Sequence, residues 1–249
     1  WGRAAAVEPK AVEEAAAPSL PPSTHEAPPE TLSEMIERRV RFLTDYQNAA
    51  YAKRYSDLVA LAQAAEENKA KGISGFAEAV AQNAFKLMAY KDEYEVARLY
   101  TNGEFEKKLR AQFDGDFKLK FHLAPPLFAR RDPTTGELQK SEYGPWVFKA
   151  FKLLANLRHL RGTRLDVFGY TAERRTERQL IEDYEAVVRE LASKLDRSNH
   201  ALAVEIASIP NEIRGFGHIK ERNLKKAKEK EARLLDAFRH PATPALAAE

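Results

Sequence analysis

The sequence has no cysteine among its 249 residues, and this absence disfavours several classes of protein. It leaves no thiol for a disulfide-stabilised secreted fold, a thiolate zinc site or a cysteine-held iron–sulfur cluster. No apolar run approaches the roughly 20 residues that a membrane-spanning helix requires. The first residue is Trp1, and no signal-peptide pattern follows it. We therefore expect a cytoplasmic protein without a membrane segment, and a piece of a longer chain.

A strong excess of one charge is also lacking. The 40 basic and 37 acidic residues give a net charge of +3, and the two signs are mixed along the predicted helices. Such mixing produces no strong field for a nucleic acid or a membrane surface. No repeat of 34–45 residues is visible, which disfavours a helical solenoid.

The composition divides the chain into three parts. Residues 1–30 are rich in proline, alanine and glutamate, which predicts a linker or a disordered segment. Residues 31–240 carry apolar side chains at helical spacing, which predicts one helical domain. Residues 241–249 should form a disordered tail.

The expected fold is mainly α, or α+β at most, with many helices and one small antiparallel β-hairpin. Thr31 and Glu34 form a capping-box pattern that opens a helix expected to continue to about residue 68. A second helix should run from Phe76 past Val96. Alternating apolar residues predict a strand over residues 117–123, paired with another over residues 137–142.

Further helices are predicted in the second half of the chain. Trp146 begins the one expected to be the most buried, because apolar residues surround its middle. Thr171 and Ser198 should begin two more helices, the second ending at Pro210. A final charged helix should extend to about Arg239.

A glycine-marked loop near residue 215 is the most site-like segment. Its glycines permit close backbone approach, and its basic side chains suit an anion. The alternative is a tight turn between helices. The residues concerned are Arg214, Gly215, Gly217, His218 and Lys220.

A second charged cluster comprises Lys91, Asp92, Glu93 and Arg98. Adjacent helical positions diverge by about 100°, so its two carboxylates cannot face each other as an acid–base pair. We expect a solvated or interface-facing cluster instead.

Other basic pairs are weaker candidates. Arg130-Arg131 and Arg174-Arg175 have the chemistry to bind phosphate, although paired surface salt bridges explain them as well. The basic run at residues 225–228 is followed at once by glutamates, which is typical of a solvated helix. The six histidines have no metal-ligand spacing. We thus predict no catalytic, cofactor-binding or metal-binding residue in this chain.

Four segments resemble a known family. They are KLMAYKDEYEVARLYTNGEFEKKL, FKLKFHLAPP, LRGTRLDVFGYTAERR and EIRGFGHIKERN. Their order is similar to that of the C-terminal domain of the fused bacterial indolepyruvate:ferredoxin oxidoreductases, a branch of the 2-oxoacid:ferredoxin oxidoreductases. The resemblance covers roughly residues 35–240.

The resemblance implies that the parent oxidises a 2-oxoacid with coenzyme A, giving acyl-CoA, carbon dioxide and reduced ferredoxin. It also implies thiamine diphosphate, Mg²⁺ and 4Fe–4S clusters in the parent. The family's Gly-Asp-Gly motif and its cluster cysteines are absent here, so these groups are expected elsewhere in the parent. The fragment should then be an inactive scaffold in an oligomeric enzyme, contacting the catalytic domains through the loop at 213–220 and the charged face at 91–98.

Two other interpretations remain open. One is a freestanding helical module for protein–protein interaction. The other is a nucleic-acid-binding helical protein, which requires basic residues on one face and salt-sensitive binding.

Overall fold

A computed structural model describes residues 30–113, 115, 118–123, 139, 141–215 and 217–241. Within these residues there are nine α-helices and one two-stranded antiparallel sheet, with 72% of the residues helical. The mainly α fold with one small hairpin is therefore confirmed. The helices are α1 (Leu32–Tyr46), α2 (Ala49–Lys69), α3 (Phe76–Met88), α4 (Glu93–Thr101), α5 (Glu104–Gln112), α6 (Val147–Asn156), α7 (Ala172–Lys194), α8 (His200–Ser208) and α9 (Gly217–Arg239), and the strands are β1 (Phe121–Leu123) and β2 (Ser141–Tyr143).

The chain divides into two units, Trp1–Met35 and Ile36–Glu249. In the described part of the first unit, the predicted capping box is present at the start of α1. The Thr31 amide donates to Glu34 Oε2 at 2.8 Å, and the Glu34 amide donates to Thr31 Oγ1 at 3.3 Å. The domain boundaries predicted at residues 30 and 240 remain predictions.

The prediction of a single long helix from residue 31 to about residue 68 is wrong. The segment forms two helices, because Asn48 interrupts the backbone and caps α2. The Asn48 φ angle of −171° is extended, and its side-chain oxygen accepts from the Tyr51 amide at 2.8 Å. Apolar spacing continues across this break, so periodicity alone does not reveal it.

The main core lies in the second unit, where α3 packs against α2, α7 and α8. Large side chains such as Tyr55, Phe76 and Leu191 are fully buried there. Thr171 caps α7 as predicted, accepting from the Arg174 amide at 3.3 Å. Many of the remaining buried positions are alanines, which let the helix backbones approach closely.

The second predicted helix is also divided. Helix α3 ends at Met88, and α4 begins at Glu93 after a short connection. Asp92 is the N-cap of α4, and its Oδ1 accepts from the Glu95 amide at 2.8 Å. An aspartate that accepts from a backbone amide favours a new helix start, which explains the difference.

A smaller aromatic cluster joins the sheet to α4 and α6. Phe121 of β1 and Phe151 of α6 both pack on Tyr100, with ring centroids 5.5 and 5.4 Å away. β1 pairs with β2 in the register Phe121↔Tyr143 and Leu123↔Ser141. Burial alternates over residues 118–123 as predicted, but only the last three are paired; residues 117, 137, 138 and 140 of the predicted strands lie outside the described part.

Helix α6 is not the most buried helix, so that expectation is wrong. Trp146, just before it, is 63% exposed and Leu153 is 65% exposed, whereas only Val147 and Ala155 of the helix are buried. The reason is that α6 packs chiefly on α4. A helix that is apolar all round becomes buried only where other elements cover it.

The C-terminal helices follow the prediction closely. α8 begins at His200, two residues after the expected Ser198, and Pro210 lies in a 3₁₀ turn that follows it. α9 ends at Arg239 as expected. None of the helices in the described ranges combines the length and apolar character needed to cross a bilayer.

Candidate functional site: a buried polar network

An ion pair between Asp92 and Arg161 lies in the interior. Both residues are almost fully buried, at 3% and 4% exposure. Arg161 Nε donates to Asp92 Oδ2 at 2.5 Å and NH2 donates to Oδ1 at 2.8 Å, which is a bidentate arrangement. Arg161 NH1 also donates to the Tyr46 carbonyl at 2.6 Å, and the guanidinium lies 3.6 Å from the centre of the Tyr46 ring. The pair thereby fixes α1, the start of α4 and the segment after α6 to one another.

The electrostatics of this pair keep the guanidinium charged. Burial is the largest single influence and lowers the pKa of Arg161, but the hydrogen bonds with Asp92 and the nearby charges of Tyr46, Asp92 and Tyr90 together raise that pKa above its usual value. Burial raises the pKa of the neighbouring Tyr46 phenol far above its usual range, and that of Tyr90 to about 12. These phenols therefore stay protonated at neutral pH, and none is suited to accept a proton in catalysis.

Asp166 organises the loop before α7. It is 3% exposed and accepts four hydrogen bonds. The Gly162 amide donates to Oδ2 at 2.7 Å, while the Gly169 amide and the Tyr94 hydroxyl donate to Oδ1 at 3.0 and 3.2 Å. The fourth donor is the Phe168 amide at 3.2 Å. This carboxylate closes the loop on itself and ties it to α4.

A chain of ion pairs extends from α4 to α9. Arg174 donates through NH2 to Glu93 Oε1 at 3.4 Å and through NH1 to Glu177 Oε2 at 2.7 Å. Lys220 Nζ donates to the other Glu177 oxygen at 2.8 Å. Burial opposes the charge on Arg174, yet Glu93 and Glu177 together raise its pKa. Three helices are thus joined by paired charges.

A second buried pair joins Glu66 of α2 to His200 of α8. His200 Nε2 lies 2.6 Å from Glu66 Oε1, and the two residues are 4% and 9% exposed. The Glu66 carboxylate also accepts from the Phe76 amide at 2.7 Å and the Ala77 amide at 3.3 Å. It therefore caps the N-terminus of α3 from a neighbouring helix, a task that Gly75 cannot perform.

The charged cluster predicted at residues 91–98 is not a surface rim. Lys91 is exposed, but Asp92 is buried in its ion pair and Glu93 is turned toward Arg174. Arg98 binds both oxygens of Glu95 at 2.8 Å. The expectation of a solvated cluster on one helix is wrong for Asp92, because capping α4 brings its carboxylate inside.

The predicted glycine loop has a mixture of internal and exposed groups. Arg214 Nε donates to the Asn211 carbonyl at 2.7 Å, and Lys220 is held by Glu177. His218 is exposed. Both glycines have positive φ, +99° at Gly215 and +52° at Gly217, which favours a residue without a Cβ. Phe216 lies outside the described part, as does the Arg130-Arg131 pair.

Arg214 and Lys220 are nevertheless brought near a third cation, Lys86. Burial lowers the pKa of Lys86, and the positive charges of Arg214 and Lys220 lower it further. Lys86 Nζ donates to the Pro210 carbonyl at 2.6 Å. The surroundings of the loop are therefore locally positive, although each of the three cations donates to a protein group.

The enclosed and the open cavities among the described residues differ widely in size. The space bounded by Leu87, Tyr184 and Ile209 is about 10 Å³, near the lower limit for one water molecule. An open groove of about 420 Å³ runs past Asp45, Arg98 and Arg158. In the described ranges no three His, Asp or Glu side chains are grouped in a way that could hold a metal ion.

Sequence reasoning did not find Arg161, Asp166, Glu66 or His200. A signal exists for Glu66, which continues the buried stripe of Val59 and Ala62 at helical spacing. For Arg161 and His200 the partners are far apart in the chain, 69 residues for Asp92 and Arg161 and 134 for Glu66 and His200, whereas Asp166 has local amide donors and one distant donor, Tyr94. Only the fold brings them together.

Comparison with protein families identifies the family of this chain. The model described as a family of unknown function, DUF6537, matches residues 32–233. The chain belongs to the DUF6537 family. Searches of curated proteins and of solved structures find no match. The DUF6537 match includes every residue of the buried network described above.

Proposed function

We propose that this DUF6537 domain is a non-catalytic assembly domain of a thiamine diphosphate-dependent indolepyruvate (2-oxoacid):ferredoxin oxidoreductase. The parent enzyme would convert a 2-oxoacid and coenzyme A into acyl-CoA and carbon dioxide, and pass the electrons to ferredoxin. Within it, the domain would pack against the catalytic domains and support the oligomer. The proposal places the enzyme in the cytoplasm, in keeping with a sequence without cysteine.

The observation that carries the proposal is where the resembling segments lie. Residues 86–109 supply Asp92 and Glu93, residues 160–175 supply Arg161 and Arg174, and residues 212–223 supply Lys220. Three of the four segments thus meet in one buried network. Their charged side chains join helices to one another, and a scaffold needs such contacts to hold a fixed shape.

The residues present do not fit the parent's cofactors. The chain has no cysteine for a cluster and no Gly-Asp-Gly motif for the magnesium-bound diphosphate. The buried phenols have raised pKa values and the buried carboxylates are bound by cations or amides. Thiamine diphosphate, Mg²⁺ and the clusters therefore belong to other parts of the parent, and no catalytic step is assigned to this chain.

The test uses the full-length natural protein that contains these residues. We expect it to contain thiamine diphosphate and iron–sulfur clusters and to reduce ferredoxin when given indolepyruvate and coenzyme A. Deleting residues 31–240 should change the assembly state in analytical ultracentrifugation while thiamine diphosphate and clusters remain bound. A parent without thiamine diphosphate, or without 2-oxoacid oxidation, would overturn the proposal.

A milder variant tests the loop at 213–220. Arg214→Ala with His218→Ala should weaken assembly of the full-length enzyme and leave its apparent affinity for coenzyme A unchanged. Lys225→Ala, an exposed change on the same helix, is the matched control. A selective rise in the coenzyme A requirement, with assembly unchanged, would instead make the loop part of the acyl-acceptor site.

One observation favours a second candidate, a freestanding protein-interaction module. Leu165, Val167 and Tyr170 are large apolar side chains that are 60–70% exposed. This candidate predicts a complete gene that begins near residue 1 and no thiamine in the purified product. The nucleic-acid interpretation has less support, because Lys228 of the basic run is bound by Asp183 and Glu231.

A further inference from the structure

The loop of residues 162–170 exposes three large apolar side chains within six residues. Leu165 is 70% exposed, Tyr170 is 61% exposed and Val167 is 60% exposed. Single exposed apolar residues are normal on a protein surface, but a group of large ones that exposes a few hundred Å² is often functional. The residues between them face inward, since Asp166 is buried.

This loop is held rigidly although its apolar side chains face solvent. Asp166 receives its four hydrogen bonds from Tyr94 and from the loop's own amides. The Tyr170 hydroxyl donates to the Arg164 carbonyl at 2.7 Å, and Arg178 NH2 donates to the Gly169 carbonyl at 2.7 Å. A contact made by such a loop loses little conformational entropy on binding.

Gly169 shows how tightly the loop is built. A Cβ atom there would lie 2.5 Å from Asp166 Oδ2 and 2.8 Å from its Cγ. Any side chain would therefore displace the carboxylate that closes the loop. Glycine permits the loop to close in this form, and this form turns Leu165 and Val167 outward.

The charge around the cluster indicates what it contacts. Arg164 is exposed beside Leu165, and Arg175 NH2 donates to the Tyr170 carbonyl at 2.8 Å, so two cations flank the apolar side chains. A matching surface has an apolar pocket bordered by carboxylates.

The size of the cluster indicates how the partner is held. The three side chains expose on the order of 300 Å². A stable contact between separate proteins needs about 800 Å² per partner. A smaller contact is sufficient when both surfaces belong to one chain, because tethering gives an effective concentration of about a millimolar.

We infer that Leu165, Val167 and Tyr170 dock this domain onto an apolar pocket with a carboxylate border in the catalytic part of the same parent chain. The identity of that partner rests on the proposed function. The docking surface itself rests on the exposure, rigidity and charge of the loop.

Hydroxyl-radical footprinting of the full-length protein tests this inference directly. Leu165 and Leu153 are the same residue type and are exposed almost equally in this domain, at 70% and 65%. If the loop is docked, Leu165 should be oxidised at least about fivefold more slowly than Leu153. Equal oxidation of the two leucines would overturn the inference. Protection of Leu165 that disappears on tenfold dilution would assign the loop to a second copy, and would also overturn it.

A pair of variants supplies an independent readout. Leu165→Asp with Val167→Asp places two carboxylates against the acidic border, so small-angle X-ray scattering should show a larger radius of gyration for the full-length protein. Leu153→Asp is the control and should leave it unchanged. An unchanged radius in both variants would refute docking. If Leu165 is protected in a full-length protein that lacks thiamine diphosphate, the proposed function is refuted and the docking inference is supported.

Discussion

The ion pair between Asp92 and Arg161 allows a quantitative prediction. Asp92 has two structural roles, since its carboxylate binds the buried guanidinium and its Oδ1 caps α4 through the Glu95 amide. Two substitutions separate these roles. Asp92→Ala removes both, whereas Asp92→Asn keeps a capping oxygen and removes the charge. Asparagine is as good an N-cap as aspartate, so the difference between the variants reports the cap together with the hydrogen bond that the amide oxygen still accepts from Arg161.

The expected losses follow from the burial of the pair. Removing one partner of a buried ion pair leaves an uncompensated charge and costs about 3–5 kcal/mol of unfolding free energy. Loss of an N-cap costs about 1 kcal/mol more. We therefore expect Asp92→Ala to cost about 4–6 kcal/mol, with a fall in Tm of at least about 8 °C for a domain of this size. Asp92→Asn should cost about 2–4 kcal/mol, because an amide still accepts a hydrogen bond.

Urea unfolding of the 249-residue chain, followed by fluorescence and far-UV circular dichroism, measures these losses. The double variant Asp92→Leu with Arg161→Met removes both charges of the pair. It should be more stable than Asp92→Ala, because no charge is left unpaired. Glu142→Gln is the control, since its ion pair with Lys120 is exposed to solvent and should leave the unfolding free energy nearly unchanged. If Asp92→Asn unfolds like this control, the buried-pair reasoning is refuted.

Three further outcomes are expected. Trp146→Ala should change the unfolding free energy by less than about 1 kcal/mol, because the side chain is 63% exposed; a larger loss in urea unfolding would contradict its position. Phe151→Ala should cost more, about 2–4 kcal/mol by the same assay, because its ring packs on other aromatic rings. The hydrogen bond from Arg239 lowers the pKa of Glu190 to about 2, so its stabilising contribution is present above pH about 4.3 and is lost as the pH falls toward 2. The stability difference between Glu190→Gln and the unmodified chain should therefore shrink between pH 6 and pH 2.5, and a constant difference would contradict the ion pair.

Local signals in the sequence predicted the helical character and several helix ends. Thr31 and Thr171 were recognised as caps because a short hydroxyl side chain stands just before an apolar-periodic segment. The breaks at Asn48 and Asp92 were missed, although both residues are strong N-caps. The apolar spacing continues through them, so periodicity predicts one continuous helix where the capping residues indicate a break.

Burial was harder to predict than secondary structure. The apolar residues around Trp146 predicted the most buried helix, yet much of that helix faces solvent. Whether an apolar face is covered depends on which other elements reach it, and this is a property of the whole fold. The exposure of Leu165 and Tyr170 is not predictable for the same reason, since the sequence of this segment indicates only an irregular connection between helices.

The candidate site depends still more on tertiary structure. Arg214, His218 and Lys220 were identified from their residue types, but the structure shows that Lys220 is held by Glu177 across 43 residues. The type of a charged residue shows what it can bind. Only its neighbours in space show whether that capacity is already satisfied inside the protein.

The distances along the chain between the buried partners indicate what the buried charges contribute to this fold. Asp92 and Arg161 are 69 residues apart, and Glu66 and His200 are 134 apart. Each pair forms only when the correct helices meet, whereas the many buried alanines of the core carry no polar group that specifies a partner. A wrong arrangement leaves a buried charge without its partner and costs several kcal/mol. The pairs therefore select one arrangement of helices, and the same arrangement holds the loop at residues 162–170 in the form that turns its apolar side chains outward.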